Sequence, residues 1–126
     1  MTSWAREHSR LAHRPGGARG VLDQAMSEKD LLSAVEQLAV ACGWLSYHTR
    51  DSRRSAGGFP DLVLAHPAGM VIFAELKRAG GRGRVSAEQA QWLGVLGAAA
   101  SSSVVVRVWR PGDWPEIERI LTTRSV

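Results

Sequence analysis

Apolar residues first recur at helical spacing in the stretch that follows Ser27. Leu31, Leu32, Val35, Leu38, Ala39 and Cys42 share one arc of a 3.6-residue helix. Ser27 is placed to cap that helix, and Glu28 and Asp30 suit the positive end of its dipole. Gly43 supplies a natural stop just beyond it. The period then shortens. Trp44 to Thr49, Asp61 to Ala65 and Met70 to Lys77 read as strands. His66-Pro67-Ala68-Gly69 carries turn chemistry, which makes the last two of these a hairpin. Ser86 and Gln89 match a capping box at the start of a second helix, which bears Ala90, Trp92, Leu93, Val95 and Leu96. A β-branched strand from Ser103 to Trp109 follows. Asp113 is expected to cap a last short helix with Pro115, Ile117, Ile120 and Leu121.

The expected order is α-β-β-β-α-β-α. The first three strands should form an antiparallel meander. The Gln89 helix should cross over to a parallel strand near Val105 by a right-handed connection. This is an α/β fold, a mixed β-sheet flanked by helices. Residues 1–25 contain Pro15-Gly16-Gly17, Gly20 and several arginines without apolar periodicity, and read as a flexible basic arm. Such an arm either touches DNA or is a tail with no role. Residues 26–126 read as a single domain, consistent with a chain of 126 residues and 44% apolar content. No run approaches the ~18 apolar residues of a membrane helix. The N-terminus lacks the apolar stretch of a secretory signal, so a cytoplasmic protein is expected. The single cysteine, Cys42, lies in the apolar arc and reads as a buried thiol rather than a ligand or nucleophile.

Charge narrows the class of partner. Sixteen Lys and Arg against twelve Asp and Glu leave a formal net charge of +4, which favours a polyanion. Arg50, Arg53 and Arg54 precede the Asp61 run, and Lys77, Arg78, Arg82 and Arg84 follow Glu75. Scattered basic residues usually serve solubility. Two clusters flanking the same pair of acids favour phosphate binding.

Those acids carry the candidate chemistry. Side chains alternate along a strand, so Glu75 and Lys77 share a face and Leu76 points to the other. With the turn centred on Pro67-Ala68, Asp61 should pair near Ala74 or Glu75. Two carboxylates so close repel unless a cation joins them. Hard oxygen ligands suit Mg²⁺ or Mn²⁺, which can polarise a phosphate and acidify a bound water. Lys77 could orient that water or stabilise charge developing on the phosphate. The competing reading is a surface ion-pair cluster of little energetic worth. Glu28 falls in the middle of the apolar arc and is a candidate further ligand; plain dipole complementation, worth ~0.3–1 kcal/mol, is its alternative. Gln89 completes a capping box and could also bond a metal water or a phosphate. His48 reads as a DNA contact or a satisfied strand residue. Trp92, Trp109 and Trp114 read as core or interface groups rather than base-stacking ones.

At these residues the sequence resembles the VRR-NUC family of the PD-(D/E)XK nuclease superfamily. Pro60-Asp61 is similar to the PD half of the motif, and Glu75-Leu76-Lys77 to the ExK half. Ser27 to Leu31, Gly43-Trp44 with Tyr47 to Thr49 and Asp51 to Arg54, Ser86 to Leu93, and Val106 to Pro111 resemble further family segments in the same order. The resemblance runs from about residue 27 to residue 121, and the segment before Ser27 has no counterpart in it. It implies a restriction-endonuclease-like core and a metal-dependent DNA endonuclease. Glu28, Asp61 and Glu75 would be metal-site acids, with the Leu76 carbonyl a further ligand. Lys77 would be the catalytic lysine and Gln89 a supporting residue. The resemblance also implies a phage-type homodimer acting on branched DNA such as four-way (Holliday) junctions, in a bacterial or phage-infected cell. A non-catalytic DNA-binding module and a defence nuclease cutting ordinary duplex are the alternatives.

Overall fold

A computed structural model describes residues 26–49, 57–80 and 84–123. The elements, in chain order, are α1 (Glu28–Ala41), β1 (Leu45–His48), β2 (Leu62–His66), β3 (Met70–Leu76), α2 (Ala87–Gly97), β4 (Val104–Trp109), a 3₁₀ turn (Pro111–Asp113) and α3 (Trp114–Thr123). The expected α-β-β-β-α-β-α order is therefore the observed one. The sheet order is β1-β2-β3-β4. The first three strands are antiparallel, and β3 and β4 are parallel across the α2 crossover.

The strand alternation sets the two faces. Leu62, Leu64, Ile72, Ala74 and Leu76 point to one side and are buried in a core with Leu31, Val35 and Leu38 of α1 and Ile117 and Leu121 of α3. Burying each such large apolar side chain contributes about 1.5–3 kcal/mol, so this face anchors the hairpin. The other face carries Val63, Val71 and Phe73, half-buried, and α2 contacts β4. Trp109 and Trp114 are core residues, as expected, and Cys42 is a buried thiol. Trp44 donates its indole N–H to the Leu121 carbonyl at 3.0 Å, tying the α1–β1 corner to the last helix.

Three details differ from the sequence reading. β2 starts at Leu62, so Asp61 stands one residue ahead of the strand rather than within it. β3 ends at Leu76, which leaves Lys77 just past the ladder. Asp113 does not open α3: its carboxylate accepts the Arg110 N–H at 2.9 Å inside the 3₁₀ turn, and α3 continues from that turn at Trp114. Proline at the first position of the turn needs no donor there, which favours starting the helical segment at Pro111.

Candidate active site

The β2–β3 hairpin creates the site. Its register sets Leu62 opposite Ala74, so the next step outward sets Asp61 opposite Glu75. At that step side chains take over the ladder. The Asp61 N–H donates to Glu75 Oε1 at 3.2 Å, and the Leu76 N–H donates to Asp61 Oδ2 at 2.9 Å. Each carboxylate is thus held by the backbone of the opposite strand end. Thr49 extends β1 alongside: its N–H donates to the Asp61 carbonyl at 3.0 Å and its hydroxyl to the Pro60 carbonyl at 3.3 Å. On the other side, the Lys77 N–H donates to the Trp109 carbonyl at 2.9 Å. The Lys77 ammonium is 3.3 Å from Glu75 Oε2.

Glu75 is the buried acid of the described core, with 1% of its surface exposed. Burial, and then the negative charge of Asp61, push its pKa up from 4.5 to about 7, against the opposing pull of Lys77 and of the Asp61 N–H. Two acids and one ammonium leave the cluster short of positive charge.

Helix α2 closes the site from the second face. Its N-terminal turn sits against the loop that leads to Asp61. Gly58 has φ +85°, and a Cβ there would lie 2.5 Å from the Glu88 carbonyl carbon. Only glycine allows that approach. The Trp92 indole N–H donates to the Gly57 carbonyl at 3.1 Å, and the Trp92 and Phe59 rings meet edge-on with centroids 5.0 Å apart. This docking aims Gln89 at the acids. Its amide oxygen accepts the Ser86 N–H at 2.9 Å and completes the capping box, while its amide nitrogen donates to Glu75 Oε2. The capping role weighed for Gln89 is present at one end of the amide, and the other end meets Glu75 rather than a water or a phosphate. Gly58 and Thr49 were not singled out by sequence. Their partners lie far along the chain, so no local spacing marks them.

A cleft of about 200 Å³ opens beside Asp61, lined by Glu28, Lys29, Leu32, Thr49, Asp61 and Leu76. Glu28 therefore faces the same cleft as Asp61. Its side chain is exposed rather than buried in the apolar arc. Among the described residues, no three His, Cys, Asp or Glu side chains stand close enough together to hold a metal ion by themselves.

The model of the VRR-NUC domain matches residues 4–109. The chain belongs to the VRR-NUC family. Its domain is of the nuclease type, with a restriction-endonuclease-like fold and DNA as the class of molecule it acts on. No curated protein and no solved structure matches the chain. The family match begins N-terminal to Ser27 and takes in most of the segment read as a basic arm, which lies outside the described residues.

The VRR-NUC chain places its candidate residues unevenly. Asp61, Glu75, Lys77 and Gln89 are joined in one hydrogen-bonded cluster, and Glu28 and Leu76 line the adjoining cleft. Arg78 and Arg84 are exposed on the chain that leaves β3, and the Arg78 carbonyl accepts a bond from Arg110. Arg50, Arg53, Arg54 and Arg82 lie outside the described residues. The donor chemistry fits a hard divalent cation: two oxygen acids in mutual repulsion, one of them pushed up to about 7 by burial and by the charge of the other. Among the described residues no helix is long and apolar enough to cross a membrane.

Proposed function

We propose that this VRR-NUC domain is an Mg²⁺- or Mn²⁺-dependent DNA endonuclease that hydrolyses phosphodiester bonds, as a homodimer, in branched DNA such as four-way junctions. The observation that carries the reading is the reciprocal bonding of Asp61 and Glu75 with Lys77 and Gln89 on the same carboxylate. Asp61, Glu75 and the Leu76 carbonyl would hold the cation, with Glu28 across the cleft as a further acid. When bound, the cation supplies charge neutralisation at the phosphate and acidifies a water.

The chain's own residues do the remainder. Asp61 is held by the Leu76 N–H, so one carboxylate oxygen is fixed while the residue lines the cleft. Gln89 holds Glu75 Oε2 and keeps that side chain in place without adding charge. Lys77 brings an ammonium to the cluster, where it can steady the attacking water or a negative phosphate oxygen. The mobile proton that Glu75 carries near neutral pH leaves when positive charge arrives at the site. Support for the homodimer comes from the resemblance and from apolar side chains left on the outer sheet face, with Leu45 74% and Tyr47 62% exposed.

The test is cleavage of linear duplex, flap and four-way junction DNA with Mn²⁺ at one salt concentration. Nicking should occur, be strongest on the junction, and vanish in Asp61→Ala and Lys77→Ala. Equal residual cleavage by those variants refutes the assignment. Equal rates on all three substrates refute the preference for branched DNA.

A further inference from the structure

A second polar cluster lies on the flank of the cleft, outside the acid site. Glu36 of α1 is its centre: the Glu36 Oε2 accepts two bonds from β1, the Ser46 hydroxyl at 2.8 Å and His48 Nδ1 at 3.1 Å. Both His48 and Glu36 are about three-quarters buried, with 27% and 26% of their side chains exposed. The carboxylate therefore fixes the imidazole from its Nδ1 side. Nε2 has no partner among the described residues.

The position of that free nitrogen follows from the strand order. His48 pairs with Leu62, and the next residue, Thr49, bonds the Asp61 carbonyl and lines the cleft. On the helix side, Leu32 sits one turn ahead of Glu36 and lines the same cleft. The ring is thus held between α1 and β1, one residue back from the cleft wall. The chain then continues into Arg50, Arg53 and Arg54.

The geometry points to His48 as a contact for a nucleic-acid phosphate beside the cleft, with Glu36 as the residue that orients it. The inference rests on the nuclease reading and extends its DNA path along β1. In the bound state the ring bridges two anions, giving Nδ1–H to Glu36 and Nε2–H to a phosphate oxygen. Charge-assisted bonds of this kind are the stronger class of hydrogen bond. Ser46 holds the second lone pair of the same carboxylate oxygen and keeps Glu36 from turning away.

The experiment is binding of a fluorescently labelled short duplex without divalent cation, so that no cleavage intervenes, over a series of salt concentrations. His48→Gln should weaken binding about threefold to tenfold and lower the slope of log affinity against log salt by about 0.9, the loss of one phosphate contact. Glu36→Gln supplies a test by sign that leaves the ring in place. Removing an acid near DNA ordinarily tightens binding, whereas here it should weaken it. In a His48→Gln background Glu36→Gln should no longer weaken binding, as expected for two residues acting as a unit. A purely structural role would lower thermal stability and leave the salt slope unchanged, which overturns the inference. Tighter binding by Glu36→Gln overturns it as well. If the wild-type protein cleaves DNA while either result is seen, only this inference fails; if the wild-type protein neither binds nor cleaves, the nuclease reading fails with it.

Discussion

Glu75 should make the metal-free protein less stable as pH rises. Its carboxyl is pushed from 4.5 to about 7 by burial and by Asp61. Between those two values the folded chain binds a proton that the unfolded chain has released. The fold then loses stability with each step of rising pH, because stability falls wherever the native state holds more protons. The difference between 4.5 and about 7, at ~1.4 kcal/mol per pH unit, gives a loss of about 3 kcal/mol across the window. Little solvent screens the group, since only 1% of Glu75 is exposed. That loss is a substantial share of the stability of a small domain. The assay is urea denaturation in the presence of a chelator, from below pH 4.5 to above pH 7, for the wild-type protein and for Glu75→Gln. Glutamine keeps the shape and can accept the Asp61 N–H without the charge. The gap between the two stability profiles should widen in favour of Glu75→Gln as pH rises through the window. Added Mn²⁺ should narrow the gap above pH 7, since a cation at the pair favours the ionised form that burial opposes. Parallel wild-type and Glu75→Gln profiles would show that Glu75 titrates as an ordinary carboxylate and would refute the account of its burial.

Two further outcomes test the frame around the acids. Gly58→Ala forces a Cβ against the Glu88 backbone and onto a left-handed residue, a strain of about 1–2 kcal/mol before any movement of α2. It should lower both thermal stability and DNA cleavage; full cleavage in this variant would mean that α2 docking does not position Gln89. Ser86→Ala removes only a helix cap, worth ~1 kcal/mol, and should leave most cleavage intact, whereas Gln89→Ala removes the cap partner and the bond to Glu75 together. Equal cleavage rates in the two variants would confine Gln89 to capping.

Local signals carried the sequence reading as far as the hairpin. Pro67 to Gly69 set the turn, the alternating apolar residues set the register, and the meeting of Asp61 with Glu75 follows from those two facts alone. The capping box at Ser86 was likewise readable, because both members lie within one turn. What was not readable depends on contacts between distant segments. Gly58 looks like any loop glycine until α2 is laid against it. Glu36 looks like a solvent residue until β1 brings Ser46 and His48 beside it. Glu28 shows the limit from the other side: the helical arc assigned it a buried direction, but the place it faces is an open cleft.

The chain-wide arrangement explains why the acids can stand at this point at all. They lie at the carboxyl end of β3, the strand that pairs antiparallel with β2 and parallel with β4. Open α/β sheets place ligand sites at such ends, where crossover helices begin. Here two helices begin beside the acids. α2 presents Gln89 from its first turn to Glu75, and α1 presents Glu28 from its first turn to the cleft. A helix N-terminus carries roughly half a positive charge, and it falls off within a turn. The Lys77 ammonium and the Asp61 N–H offset part of the repulsion between Asp61 and Glu75 without neutralising it. Burial first, and then the surplus negative charge that remains beside Asp61, raise Glu75 to about 7, and the surplus charge is the part an arriving cation would satisfy. A site with more built-in positive charge would be a more stable ion cluster and a poorer place for a divalent metal. Replacing Gln89 by lysine should therefore stabilise the metal-free fold above pH 7 while weakening Mn²⁺ binding measured by calorimetry, and an unchanged Mn²⁺ affinity in that variant would detach the charge deficit from metal binding.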